Sequence, residues 1–248
     1  MTTITTSSFE LAVYQRGNSD EGKLALVLPG RLDTKDYPHM HSHVDLLSGL
    51  GYFALSFDPP GTWGSPGGIG LYTMTNYFRA INELIEHFAN RPTILVGHSR
   101  GGSLAMLAGT TNPYVTHFAA IMSHASSAIP ASEAEYIKSG RNVSYRDIPG
   151  DESAKRRFQL PYSYFEDAAK YDMTDNLRTC SKPKLFVAGT RDVVVDPAGV
   201  KAMYEQAAEP KVLAQIESSH DYRRSQDKIA EVNQLLEKFL TGTLASLL

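Results

Sequence analysis

The sequence predicts an α/β protein built on a mostly parallel central sheet that is flanked by helices. Short, continuous apolar runs recur along the chain, as expected for strands that are covered on both faces. Between these runs lie stretches whose apolar residues repeat with the period of an α-helix, and strands that alternate with helices form parallel sheets. One long polar segment fits neither pattern, and it predicts a small helical cap inserted into this core.

The elements follow in chain order. Residues 9–15 alternate apolar and polar side chains, which is typical of a half-buried edge strand. Continuous apolar runs predict further strands at residues 24–28, 52–57, 93–96, 118–122, 184–189 and 211–216. Helical periodicity or composition predicts helices at residues 44–51, 76–88, 100–108, 197–208 and 229–240.

Residues 126–181 form the segment that breaks this alternation. They are polar, rich in arginine and tyrosine, and carry no apolar run like the others. A structureless loop of this length is improbable inside a compact domain, so we expect a cap of two or three short helices. The chain is then a single domain, with a core made of residues 1–125 and 182–248 and a cap or lid at residues 126–181.

Chain length, net charge and cysteine content limit the kinds of molecule that this protein is expected to bind. The chain has 248 residues and a net charge of -3, which favours neither nucleic acid nor an anionic membrane surface. Its only cysteine, Cys180, excludes an internal disulfide and a cysteine-based zinc site. Residues 1–8 lack the features of a signal peptide, and no apolar stretch reaches the ~18 residues of a membrane span. We therefore expect a cytoplasmic monomer or homodimer that acts on a small molecule.

A candidate nucleophile follows the third apolar run. The motif Gly97-His98-Ser99-Arg100-Gly101 lies between a predicted strand and a predicted helix. This order is that of a nucleophile elbow, in which a serine stands on a tight turn and flanking glycines let the backbone pass. The N–H of Arg100, at the start of the helix, would then point to where an oxyanion forms. A glycine-rich turn with a capping serine is the alternative.

A serine nucleophile needs a base and an orienting carboxylate. His220 follows the last predicted strand and Asp192 follows the one before it, so both lie at the sheet edge where Ser99 is expected. Asp196 is a competing acid, but it precedes Pro197 and suits the N-cap of the next helix. The order Ser99, Asp192, His220 is that of the α/β-hydrolases.

These motifs, with the Asp58–Ser65 loop, resemble the α/β-hydrolase superfamily over nearly the whole chain. Within it the sequence is most similar to small carboxylesterases of the cinnamoyl or feruloyl esterase type and to serine aminopeptidase-like hydrolases. The resemblance implies the α/β-hydrolase fold, and it makes the backbone N–H of Arg31 the second oxyanion donor. Pro29 stands where the family usually has histidine. The proposed donor is the backbone N–H of Arg31, so it does not depend on the side chain at position 29. The Arg31 side chain either favours a carboxylate-bearing substrate or points into solvent.

Several other residues are weaker candidates. Trp63, His124 and Tyr164 are predicted to contact substrate, with ordinary packing as the alternative. His39, His41 and His43 have a spacing that could suggest metal, but no carboxylate or cysteine cluster accompanies them, so we expect no metal. His98 is expected to pack under the elbow.

The predicted function is a serine hydrolase that cleaves carboxylic esters through an acyl-enzyme, without a cofactor. Two alternatives remain open. One is a peptidase, amidase or thioesterase with the same fold and triad, and the other is a non-catalytic binding protein on a hydrolase fold.

Overall fold

A computed structural model describes residues 2–126, 135, 137–140 and 142–242. Eight strands within these ranges form one sheet in the spatial order β1-β2-β4-β3-β5-β6-β9-β10. They are β1 (Thr2–Thr5), β2 (Glu10–Arg16), β3 (Leu24–Leu28), β4 (Phe53–Phe57), β5 (Thr93–His98), β6 (Val115–Ile121), β9 (Lys184–Gly189) and β10 (Lys211–Ile216). The neighbours from β4 through β10 pair in parallel, whereas β1 and β2 pair antiparallel at one edge.

Helices cover both faces of this sheet. They are α1 (Pro38–Gly49), α2 (Met74–His87), α3 (Arg100–Thr111), α4 (Tyr162–Ala168), α5 (Thr174–Thr179), α6 (Pro197–Gln206) and α7 (Gln226–Leu240). Apolar residues of α1 and α7 pack in one core layer and those of α2 and α3 in the other. The predicted fold class is therefore confirmed. No helix of the described ranges is long and apolar enough to cross a membrane.

The first helix begins earlier than its apolar pattern predicts. Periodicity indicates a start near residue 44, but α1 starts at Pro38. Proline suits this place because the first turn of a helix needs no N–H from it, and its fixed φ is already helical. The first two turns carry His39 and His43, whose burial the apolar pattern does not reveal.

The segment between β6 and β9 contains an element that we did not predict. Besides the short helices α4 and α5, it holds an antiparallel hairpin of β7 (Val143–Ile148) and β8 (Asp151–Gln159). Its strands are mostly polar and charged, so they carry no clear apolar pattern; the buried Phe158 packs beside Trp63. Residues 127–134, 136 and 141 of the predicted cap lie outside the described residues.

Candidate active site

Ser99 stands on the turn between β5 and α3 with φ 53° and ψ −119°. This region is costly for a residue with a side chain, and the surrounding hydrogen bonds hold it there. The Ser99 N–H donates to the carbonyl of Ile121 at 2.9 Å. The Ser99 carbonyl accepts from Ser123 Oγ at 2.9 Å. The turn thereby presents the hydroxyl at the carboxyl end of a central strand.

Three polar side chains form one hydrogen-bonded chain at this edge. His220 Nε2 lies 2.9 Å from Ser99 Oγ, and His220 Nδ1 lies 2.8 Å from Asp192 Oδ2. Because a carboxylate can only accept, Nδ1 carries a hydrogen and Nε2 of the neutral ring faces the serine with its lone pair. The Asp192 side chain is fully buried and that of His220 is 16% exposed. This arrangement can remove the hydroxyl proton of Ser99.

The two candidate acids have different partners. The second oxygen of Asp192 accepts the backbone N–H groups of Val194 and Val195, both at 2.8 Å. These bonds fix the carboxylate in the orientation that reaches His220. Asp196 accepts the N–H of Ala198 at 2.9 Å and caps α6. Asp192 and not Asp196 therefore reaches the histidine.

Burial is the largest influence on the pKa of His220. It lowers this pKa below the ordinary value, and the nearby His98 ring acts in the same direction. The hydrogen bond and charge of Asp192 oppose the shift without overcoming it. His220 is therefore neutral at pH 7, which is the state that accepts a proton.

Two backbone segments border the Ser99 side chain. Arg100 is the first residue of α3, and the N–H groups of a helix's first turn point out from its N-terminus. The loop after β3 lies against the turn, since a Cβ placed on Gly30 would stand 3.4 Å from the Cβ of Ser99. Arg31 follows in this loop, so both predicted oxyanion residues belong to segments that meet at the serine.

Side chains that the sequence did not single out hold this loop. Leu32 has φ 62°, and its N–H donates to the hydroxyl of Tyr72 at 3.1 Å. The Arg31 carbonyl accepts from the Arg146 guanidinium, at 2.8 Å from Nη2 and 3.2 Å from Nε. Arg146 lies on the hairpin strand β7, over a hundred residues along the chain. No local pattern indicates such a partner.

Comparison with known proteins identifies the family of this chain. A model of the alpha/beta hydrolase family matches residues 25–232. The chain belongs to the alpha/beta hydrolase family. The resemblance drawn from the motifs is therefore confirmed, and the protein is a hydrolase-family enzyme.

This hydrolase is similar to several proteins at low sequence identity. It is 20% identical over 225 residues to the mitochondrial palmitoyl-protein thioesterase ABHD10 of mouse, covering 87% of this chain and 76% of the relative. A structure of ferulic acid bound to Est1E from Butyrivibrio proteoclasticus superposes with a TM-score of 0.75 at 18% identity, covering 99% and 100% of the two chains. The mouse ABHD10 structure has a TM-score of 0.77 at 19% identity, covering 97% and 98%. These superpositions show a shared fold.

The three residues predicted to contact substrate have different surroundings in the hydrolase. Trp63 is partly buried, and its indole N–H donates to the Leu32 carbonyl at 2.9 Å. Tyr164 is fully buried and stacks on Tyr72 with ring centroids 5.2 Å apart. Its ring therefore packs inside the protein rather than on an open surface. His124 is exposed and lies just past β6.

A cavity of about 250 Å³ begins beside the elbow. Its wall includes Ser123, whose hydroxyl bonds the Ser99 carbonyl, and His124. Leu177 of α5 and Ala202 and Met203 of α6 supply apolar surface. Burial lowers the pKa of His124, and the charge of Arg100 adds to this effect. In the part of the chain that the structure describes, no aspartate, glutamate, lysine or arginine lines the cavity, and Ser123 is the lining residue that bonds the elbow.

The three histidines that alternate along the sequence have different partners in the fold. His41 stacks on Tyr14, and His43 bonds Asn233 and Tyr222. Only His39 joins a group of donor atoms of the kind that bind metal. Among the described residues, Asp33, His39 and His98 each bring one such atom within 4.8 Å of the others.

Proposed function

We propose that this hydrolase cleaves carboxylic esters through an acyl-enzyme intermediate on Ser99. The observation that carries the proposal is the continuous chain from Ser99 Oγ through His220 to Asp192, with hydrogen bonds of 2.9 and 2.8 Å. A serine hydroxyl is a weak nucleophile without a base, and this chain supplies one together with the carboxylate that orients it.

The proposed reaction has two stages. Ser99 Oγ attacks the ester carbonyl while His220 Nε2 takes its proton, and the backbone N–H groups of Arg31 and Arg100 bind the oxyanion. The tetrahedral intermediate collapses, its C–O bond to the alcohol breaks, and His220 returns the proton to the leaving oxygen. Water activated by His220 then releases the acid and regenerates Ser99. Asp192 keeps the His220 hydrogen on Nδ1 and stabilises the imidazolium that forms. These steps require no cofactor.

A small-molecule ester is the substrate class we favour. The Est1E structure that shares the fold is described with ferulic acid, which supports an ester of an aromatic acid. Thioester cleavage is the second candidate, because the curated relative from mouse is a palmitoyl-protein thioesterase. The chemistry proposed for Ser99 serves both. We further propose residues 126–181 as a cap over the site; a cytoplasmic location and a monomeric or homodimeric state stay predictions from the sequence.

Covalent labelling tests the nucleophile. Wild-type enzyme is incubated with a fluorophosphonate probe and assayed on p-nitrophenyl esters, beside Ser99→Ala and the control Ser103→Ala. Ser103 is also a hydroxyl on α3, but it bonds the His124 carbonyl rather than His220. We expect Ser99→Ala to lose labelling and on the order of 10⁴-fold or more in kcat. Normal labelling or turnover by Ser99→Ala would contradict the proposal.

The cavity beside the elbow leads us to propose that it receives a small acyl group. Pockets that enclose drug-sized ligands span about 300–1,000 Å³, so a space of about 250 Å³ suits shorter groups. We expect Ala202→Trp, at the exposed rim, to reduce kcat/KM at least tenfold for butyryl or hydroxycinnamoyl esters and little for acetyl esters. Ala198→Trp on the same helix, outside the cavity lining, is the control. Equal kinetics in both variants would place the acyl group elsewhere.

A further inference from the structure

A buried cluster lies behind the proposed catalytic residues and takes no part in the reaction described above. Asp33 comes from the loop after β3, His39 from the first turn of α1 and His98 from the end of β5. The three residues are 6%, 0% and 1% exposed. We propose that Asp33, His39 and His98 form a binding site for a divalent transition-metal ion such as Zn²⁺.

The hydrogen bonding of His98 leaves one ring nitrogen available. His98 Nε2 lies 3.0 Å from the backbone carbonyl of His220. A carbonyl only accepts, so Nε2 donates this hydrogen bond and Nδ1 is the ring nitrogen that faces Asp33. Nδ1 lies 3.8 Å from Asp33 Oδ2 and has no hydrogen-bond partner. Nδ1 and Oδ2 thus face each other across a gap that a cation between them would bridge.

His39 provides the independent observation. Its side chain is fully buried, and neither ring nitrogen has a hydrogen-bond partner among the described residues. Buried polar atoms without partners are uncommon, and each one costs stability. The imidazole nitrogen of histidine is a common metal ligand, and a bound ion would give one of these atoms a partner.

The third donor is the carboxylate of Asp33. Carboxylate oxygen and imidazole nitrogen are both ligand types that Zn²⁺ accepts. Metal-binding histidines usually donate their other N–H to a carbonyl or carboxylate, as His98 does to His220.

The geometry sets the expected strength of binding. A tetrahedral ion with bonds of about 2.0 Å holds its ligands about 3.3 Å apart, so donors up to 4.8 Å apart must draw together. Arg146 Nε lies 3.4 Å from the other oxygen of Asp33 and opposes a second cation. We therefore expect binding to be moderate in wild type and tighter in Arg146→Gln. A bound ion would join three elements that surround the elbow, so it would stabilise the fold.

Metal titration tests the site on the full chain. Protein freed of metal with EDTA is titrated with Zn²⁺ alone by calorimetry, and the bound metal is counted after dialysis. We expect one Zn²⁺ per chain, with at least a tenfold loss of affinity in His39→Gln and in Asp33→Asn. The matched control is His41→Gln, two residues along the same helix, where the ring stacks on Tyr14 instead. Circular dichroism establishes that each variant is folded.

Two further readouts guard against a misfolded variant or a different ligand set. Wild-type protein loaded with Co²⁺ should show the absorption of a nitrogen- and oxygen-ligated ion, and Zn²⁺ should raise the Tm; neither needs a substitution. His220→Ala should keep stoichiometric binding.

The proposal is overturned if metal-free wild type binds no stoichiometric Zn²⁺, which would leave the cluster as a His98–Asp33 ion pair. It is equally overturned if His39→Gln and Asp33→Asn bind like wild type, or if His220→Ala abolishes binding.

Discussion

The backbone of Ser99 lies in a conformation that only its surroundings make acceptable. Its φ of 53° costs free energy for a residue with a Cβ, and hydrogen bonds to Ile121 and Ser123 offset that cost. Within the motif, the glycines are the residues that indicate this strained turn. Neither bond is visible in the motif, because both partners lie on the neighbouring strand β6 or just beyond it.

The two acidic residues of the loop after β9 differ in a way that a substitution can measure. We expect Asp192→Asn to lower kcat on the order of 10⁴-fold, because an amide no longer holds the hydrogen of His220 on Nδ1. Asp196→Asn should change kcat less than tenfold, since asparagine also caps helices well. Steady-state kinetics on one p-nitrophenyl ester gives both values, and the reverse ranking would exchange their roles.

At the scale of elements, the loops that build the site are held by parts of the chain that carry no motif. The hairpin β7–β8 supplies Arg146 to the Arg31 carbonyl, and Glu83 ties α2 to the turn between β1 and β2. Periodicity predicts whether a segment is a helix or a strand, because burial repeats with the period of the element. The hairpin cannot be predicted in this way, because its polar strands bury few side chains.

Substitution of Glu83 tests how much its contacts with the turn between β1 and β2 contribute to stability. Its carboxylate is 8% exposed and accepts from the Thr6 hydroxyl at 2.8 Å and from the Ser8 hydroxyl at 2.6 Å. We expect Glu83→Gln to lower the free energy of unfolding by about 1–2 kcal/mol, since one of these charged acceptors is lost. Arg79, whose side chain is 60% exposed, pairs with the same carboxylate. Arg79→Gln should cost less than ~0.5 kcal/mol in the same urea titration. Equal costs would mean that the surface pair, and not the tie to β1–β2, carries the stability.

At the scale of the whole molecule, the parallel sheet gathers distant parts of the chain at one edge. The carboxyl ends of the parallel strands β3, β5, β9 and β10 lie along one edge of the sheet, where the loops that follow them build the site. Ser99 and His220 are 121 residues apart in sequence and 2.9 Å apart in space. The same packing buries a group of histidines behind that edge, which makes the stability of the molecule sensitive to acid.

We expect buried His43 to cause a measurable part of this loss of stability in acid. Its Nδ1–H donates to Asn233 and its Nε2 accepts from Tyr222, at 2.6 and 2.7 Å. Burial lowers its pKa to about 4. The unfolded chain takes up this proton near pH 6.5 and the folded protein does not, so stability falls as pH drops from 6.5 towards 4. We expect His43 alone to contribute up to about 1.4 kcal/mol per pH unit in that window.

Urea titrations between pH 7 and 4.5 measure this slope. His43→Gln should be less stable than wild type at pH 7 but lose less stability on acidification. The control is His87→Gln, because His87 is exposed at the end of α2. It should keep the wild-type slope. A wild-type slope in His43→Gln would mean that other groups cause the acid sensitivity.

The sequence by itself determined the fold class and the candidates Ser99, Asp192 and His220, because each depends on a local pattern: apolar runs, helical periodicity, and a motif at a strand end. Tertiary structure alone decided which acid reaches His220, how Arg146 holds the Arg31 loop, and how Asp33, His39 and His98 come together. These features depend on the distance between residues far apart in the chain. Packing sets such distances, and no local pattern of residues encodes them.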